Sequence, residues 1–114
     1  MGRSSFAVLT SMAVSVLGFV VPAHAALDVE SAKALARTND CLKCHAADKD
    51  KRAPSMEKIA AKFKGVPDAQ AKVIQHITSG PMVKLSDGSE VKHKIINASD
   101  AKELENIADW FLSH

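Results

Sequence analysis

A chain of 114 residues, 46% hydrophobic and 25% charged, reads as one small globular domain. Its formal charge of +2, with no arginine cluster and no aromatic stacking surface, argues against a nucleic-acid partner. Aromatics make up only 4% of the chain and tyrosine is absent, so a core built from side chains alone lacks bulk.

Residues 1–25 have the layout of a secretory signal peptide. Arg3 gives a positive start, Phe6 to Val21 is an apolar run free of charge, and Pro22-Ala23-His24-Ala25 ends in small residues. Cleavage is expected between Ala25 and Ala26, which leaves residues 26–114 as an exported, periplasmic domain with no stable membrane insertion. The alternative is a retained anchor, but the apolar run is short of the roughly 20 residues that span a bilayer.

Helix signals dominate the rest and predict an all-α domain. Asp28 caps a helix to about Arg37, with Ala32, Leu35 and Ala36 inward. Thr38-Asn39-Asp40 ends it. Pro54 marks the next start, and Met56, Ile59, Ala60 and Phe63 fall on one stripe before Gly65 stops the helix. Pro67-Asp68 opens a third helix, with Val73, Ile74 and Ile77 inward, and Ser79-Gly80-Pro81 closes it. Met82 to Lys92 is the non-helical exception, a small hairpin or irregular loop around Ser86-Asp87-Gly88. Asp100 and Glu103 form a capping box for the last helix, whose inner face is Leu104, Ile107, Ala108 and Phe111.

Between the first two helices lies Cys41-Leu42-Lys43-Cys44-His45. Two thiols three positions apart, followed at once by an imidazole, make the signature of covalent c-type haem attachment. Each thiol adds across one porphyrin vinyl group, and the histidine lies beneath the ring to bind iron from the proximal side. A disulfide between these cysteines closes too small a loop to stabilise much. A thioredoxin-type pair belongs in a βαβ setting, and a zinc site needs ligands that no further cysteine supplies. None of these explains His45. One covalent haem c also supplies the missing apolar bulk, and export suits its attachment.

The sixth iron position decides the chemistry. Candidates are Met56, His76, Met82, His93 and His114. Met56 is mid-stripe and reads as core, His76 reads as a surface residue, and His114 is terminal. Met82 and His93, both before the last helix, remain.

The cysteine motif, the Ala53-Pro54-Ser55-Met56 turn into Glu57-Lys58-Ile59-Ala60-Ala61-Lys62-Phe63, and Ile107-Ala108-Asp109-Trp110-Phe111-Leu112 resemble a bacterial class I c-type cytochrome. The likeness is to the small periplasmic monohaem c551/c552 kind and departs at residues 80–98. It implies a class I cytochrome c fold, about four helices around one covalent haem. Pro54 would begin the helix after the proximal loop and contact His45, and Trp110 would sit where the first and last helices cross. The family's distal methionine lies about seventeen residues before that aromatic; here that position is His93. The resemblance therefore favours bis-histidine ligation by His45 and His93, a lower-potential arrangement. Met82, following Gly80-Pro81, stays the alternative distal ligand.

The implied function is a one-electron carrier between redox proteins, and no sequence feature marks an enzyme. Residues 41–64 carry seven basic side chains against three acidic ones. Lys43, Lys49, Lys51 and Arg52 among them suit a partner with an acidic docking surface. A gas binder or sensor with a displaceable distal histidine, and Gly88 as hinge, is the competing function. Peroxidase chemistry lacks a visible second distal group.

Overall fold

The computed structural model describes residues 26–114, together with Gly2, Ala13 and residues 15–19. Most of the expected signal peptide, including its cleavage junction at Ala25, lies outside the described residues. Among the described residues, five helices and one hairpin run in the order α1 (Val29–Thr38), α2 (Cys41–Cys44), α3 (Met56–Phe63), α4 (Ala69–Ser79), β1 (Met82–Lys84), β2 (Glu90–Lys92) and α5 (Ala101–Leu112). Among the described residues no helix is long and apolar enough to cross a membrane.

Local chemistry sets the ends. Asp28 accepts from the Ser31 amide at the start of α1, and Asp100 accepts from the Glu103 amide at the start of α5. Glu103 reaches back to the Ser99 amide at 2.6 Å, one residue earlier than a reciprocal capping box requires. Pro54 does not begin α3. Ser55 is the cap, its hydroxyl accepting from the Lys58 amide, and the helix starts at Met56. The Ser55 side chain satisfies an orphan amide there, whereas the Pro54 carbonyl faces the His45 ring.

The C-terminal helix α5 packs against α1, α3 and α4 and is the centre of the domain. Ile107, Ala108, Trp110 and Phe111 are buried on it, against Ala32 and Ala36 of α1, Met56 of α3, and Val73 and Ile77 of α4. Ala32 and Ala36 are small enough to bring two helix backbones close, and Trp110 is buried in the same apolar cluster. Ile59 and Phe63, expected in the α3 stripe, are only partly buried. They pack against the core and also line a cavity.

The hairpin pairs Met82 with Lys92, Val83 with Val91 and Lys84 with Glu90, antiparallel. Gly88, at φ 86°, turns the chain, and its amide donates to the Leu85 carbonyl at 2.9 Å. The irregular stretch before α5 is thereby shortened, and Gly88 serves a tight turn. The fifth helix, beyond the expected four, is α2, a single turn that holds both cysteines.

Candidate cofactor site

A cavity of about 610 Å³ opens beside α5, within the roughly 300–1,000 Å³ of cofactor-sized sites. Cys41, Cys44, His45, Pro54 and His93 all line it, and Ile59, Phe63, Ile77, Ile96, Ile107 and Phe111 supply apolar wall. The cysteines are free thiols three residues apart on α2. Burial pushes the Cys41 thiol up, which disfavours the thiolate a redox-active pair would need.

Two constraints fix the His45 ring. Its Nδ1 lies 2.6 Å from the Pro54 carbonyl oxygen, and the edge of Phe111 meets it at 5.8 Å between centres, 84° between planes. A carbonyl only accepts, so Nδ1 carries the hydrogen and Nε2 keeps its lone pair for a metal. Burial, partly opposed by that hydrogen bond, lowers the His45 pKa below the ordinary 6.5 and so favours the neutral ring. Pro54 thus contacts His45 as expected, through its carbonyl. The proximal loop holds that carbonyl in place: Ala53 donates to the Cys44 carbonyl at 3.1 Å, and Ser55 donates to Asp50 at 2.9 Å.

His93 has the same design. Its Nδ1 lies 2.8 Å from the Lys94 carbonyl oxygen, so in the neutral ring Nε2 is again the lone-pair nitrogen. The two ring centres are 6.4 Å apart, with planes at 42°. Two imidazoles bound on opposite sides of one metal at about 2 Å place their centres roughly 6 Å apart. Met82 is 64% exposed and does not line the cavity.

The segment carrying His93 is pinned at several points that the sequence did not signal. The His93 amide donates to Pro81, and the Ile96 amide donates to Ile77, each at 2.8 Å. Buried Asn39 accepts from the Asn97 amide at 2.8 Å while its own amide donates to the Asn97 carbonyl at 3.3 Å and the Leu35 carbonyl at 3.0 Å. Asp40, at φ 59°, pairs with Lys94 at 3.0 Å and Lys43 at 3.1 Å. Gly80 has φ 63°, and a Cβ there would stand 2.9 Å from Ile95 Cγ1 and 3.2 Å from the His93 carbonyl oxygen. The only cue was an Asn-Asp pair and a Gly-Pro pair, which read as ordinary helix punctuation.

The basic side chains at the cavity are Lys58, Lys62, Lys84, Lys92 and Lys94. Three of the five come from the hairpin region, outside the segment singled out by charge counting. Lys51 and Arg52 line a separate hollow of about 310 Å³ with Lys58 and Lys84. Among the described residues no three His, Cys, Asp or Glu side chains converge to hold a bare metal ion.

The model of the family "Cytochrome c" matches residues 29–114. The chain belongs to the cytochrome c family, among the bacterial class I c-type proteins. The class 1 cytochrome MtoD of Sideroxydans lithotrophicus ES-1 is 49% identical, with a TM-score of 0.74, over 77% of this chain and 97% of that one. Wild-type Nitrosomonas europaea cytochrome c552 is 28% identical, with a TM-score of 0.57, over 71% of this chain and 96% of that one. A search of curated proteins returned no match. A cytochrome c implies a covalently bound haem c, electron transfer and redox protein partners. The cavity, its paired thiols and its neutral imidazole fit such a group.

Proposed function

We propose that this cytochrome is a periplasmic one-electron carrier with one haem c, joined by thioether bonds to Cys41 and Cys44 and held by His45 and His93. The observation that carries this reading is the 6.4 Å separation of the two imidazoles inside a cavity walled by both thiols. When bound, haem supplies an iron couple that gains and loses one electron.

The protein's part is to hold still. Pro54 and Phe111 orient His45, and the contacts around residues 93–97 hold His93, so both ligands keep their places as charge changes. Apolar residues from α3, α4 and α5 limit water, which keeps reorganisation small. Lys62, Lys84 and Lys92 at the cavity suit an acidic redox partner, guiding encounter more than adding affinity. Residues 1–25 act as the export signal and residues 26–114 as the mature domain, with cleavage after Ala25.

Absorption and EPR spectra of the oxidised, haem-loaded protein test the ligation. Low-spin iron with two imidazole ligands and a reversible one-electron couple is expected. A near-red sulfur-to-iron band that vanishes in Met82→Ala and survives His93→Ala would overturn it.

A further inference from the structure

The cavity presents a second imidazole beside His93. His76 of α4 lines the same cavity, and its ring stands edge-on to that of His93 with centres 4.6 Å apart and planes at 68°. Its side chain also reaches solvent, as expected of a surface position, but it is the second group beside His93 that the sequence did not reveal.

The two rings are mounted differently. His93 sits on the connection between β2 and α5 and is tethered through Nδ1 to the Lys94 carbonyl. His76 sits on α4 with Val73 and Ile77 buried on the same helix. Among the described residues no hydrogen bond engages the His76 ring, so it reorients about its side-chain torsions without breaking one. Removal of the His93 ring would leave an imidazole-sized gap directly against His76. A tethered group next to a vacated site acts at high effective concentration.

Building on ligation by His45 and His93, we propose that His76 is a reserve axial ligand that takes the sixth iron position when His93 leaves it. The exchange breaks one iron–nitrogen bond and forms another. Each imidazole binds as a neutral ring through a lone pair, so no electron or proton is transferred. Met82, exposed and off the cavity, is not placed for this role.

The test compares haem-loaded wild type, His93→Ala and the double variant His93→Ala/His76→Ala by ferric EPR and by carbon monoxide binding to the ferrous form. Wild type and His93→Ala are expected to be low-spin with two imidazoles. The double variant is expected to be high-spin and to bind carbon monoxide readily. A high-spin His93→Ala with wild type still bis-imidazole overturns the reserve role alone. A sulfur-to-iron band in wild type, unchanged in His93→Ala, overturns the ligation and the reserve role together. Should His93→Ala fail to load haem, cyanide binding to ferric wild type and His76→Ala decides. A competing His76 lowers the open fraction, so its loss should speed binding roughly threefold or more. Equal rates overturn the proposal.

Discussion

Asn39 and Asn97, 58 residues apart in sequence, exchange two hydrogen bonds between their side chain and backbone groups in a part-buried setting. Asn39 also lies two residues before Cys41, so the turn that carries the thiols and the segment that carries His93 share one anchor. Asn39→Ala leaves the Asn97 amide without this partner, at a cost of about 1–3 kcal/mol. Thermal unfolding should show a fall of about 4–8 °C for each kcal/mol lost. Cyanide binding to the ferric haem-loaded variant should be faster than in wild type. Unchanged unfolding and unchanged binding would contradict this anchor.

Gly80 and Gly65 both occupy the left-handed region, at φ 63° and 73°, but only Gly80 is crowded. Gly65→Ala meets backbone strain alone, about 1 kcal/mol. Gly80→Ala adds the approach of Ile95, Lys92 and the His93 carbonyl. It should cost about 1 kcal/mol more in denaturant unfolding and shift the ferric EPR signal. Equal costs would show that the 92–95 segment yields freely.

The two methionines of the domain should behave in opposite ways. Met56 is 2% exposed in the core, and Met56→Ala should cost about 2–5 kcal/mol. Met82→Ala, at a 64% exposed position, should stay within about 0.5 kcal/mol of wild type and leave the haem spectrum unchanged. Denaturation curves and absorption spectra of both variants check the pair.

Acid should loosen the distal segment. The Asp40 carboxyl is held below its ordinary 3.8, first by the hydrogen bond from Lys94 and then by Lys43. Asp28, Asp50 and Asp87 shift the same way, chiefly through Ser31, Lys58 and Ser89 respectively. A carboxyl depressed on folding adds stability in full above its unfolded value and loses it as pH falls through its folded one. Stability should therefore decline below pH 3.8. These groups are solvent-exposed, so each share is small. Asp40→Asn should lower stability at neutral pH and flatten the acid limb. An acid limb identical to wild type would remove Asp40 from the account.

What the sequence disclosed follows from how local its causes are. The limits of α1 and α5 were written in Asp28, Asp100 and the apolar stripes that follow them, because caps and periodicity act within a few residues. The cysteine motif is legible for the same reason, being five consecutive residues, whereas His93 is singled out only by the family resemblance, counting back from Trp110. The one-turn helix α2 escaped, since four residues cannot show a period. Pro54 reads as a helix start, but Ser55 caps the helix and Pro54 works through a backbone carbonyl, which side-chain identity does not advertise. Asn39, Gly80 and His76 matter through partners tens of residues away or on another element, and only the packed chain brings those together.

The central claim, that Cys41 and Cys44 carry a porphyrin through covalent bonds, is tested most directly by the mass of the protein matured in a host with intact cytochrome assembly. A species heavier than the polypeptide by one haem, absent from Cys41→Ser/Cys44→Ser, is the expected result. A wild-type mass equal to that of the bare polypeptide would contradict it.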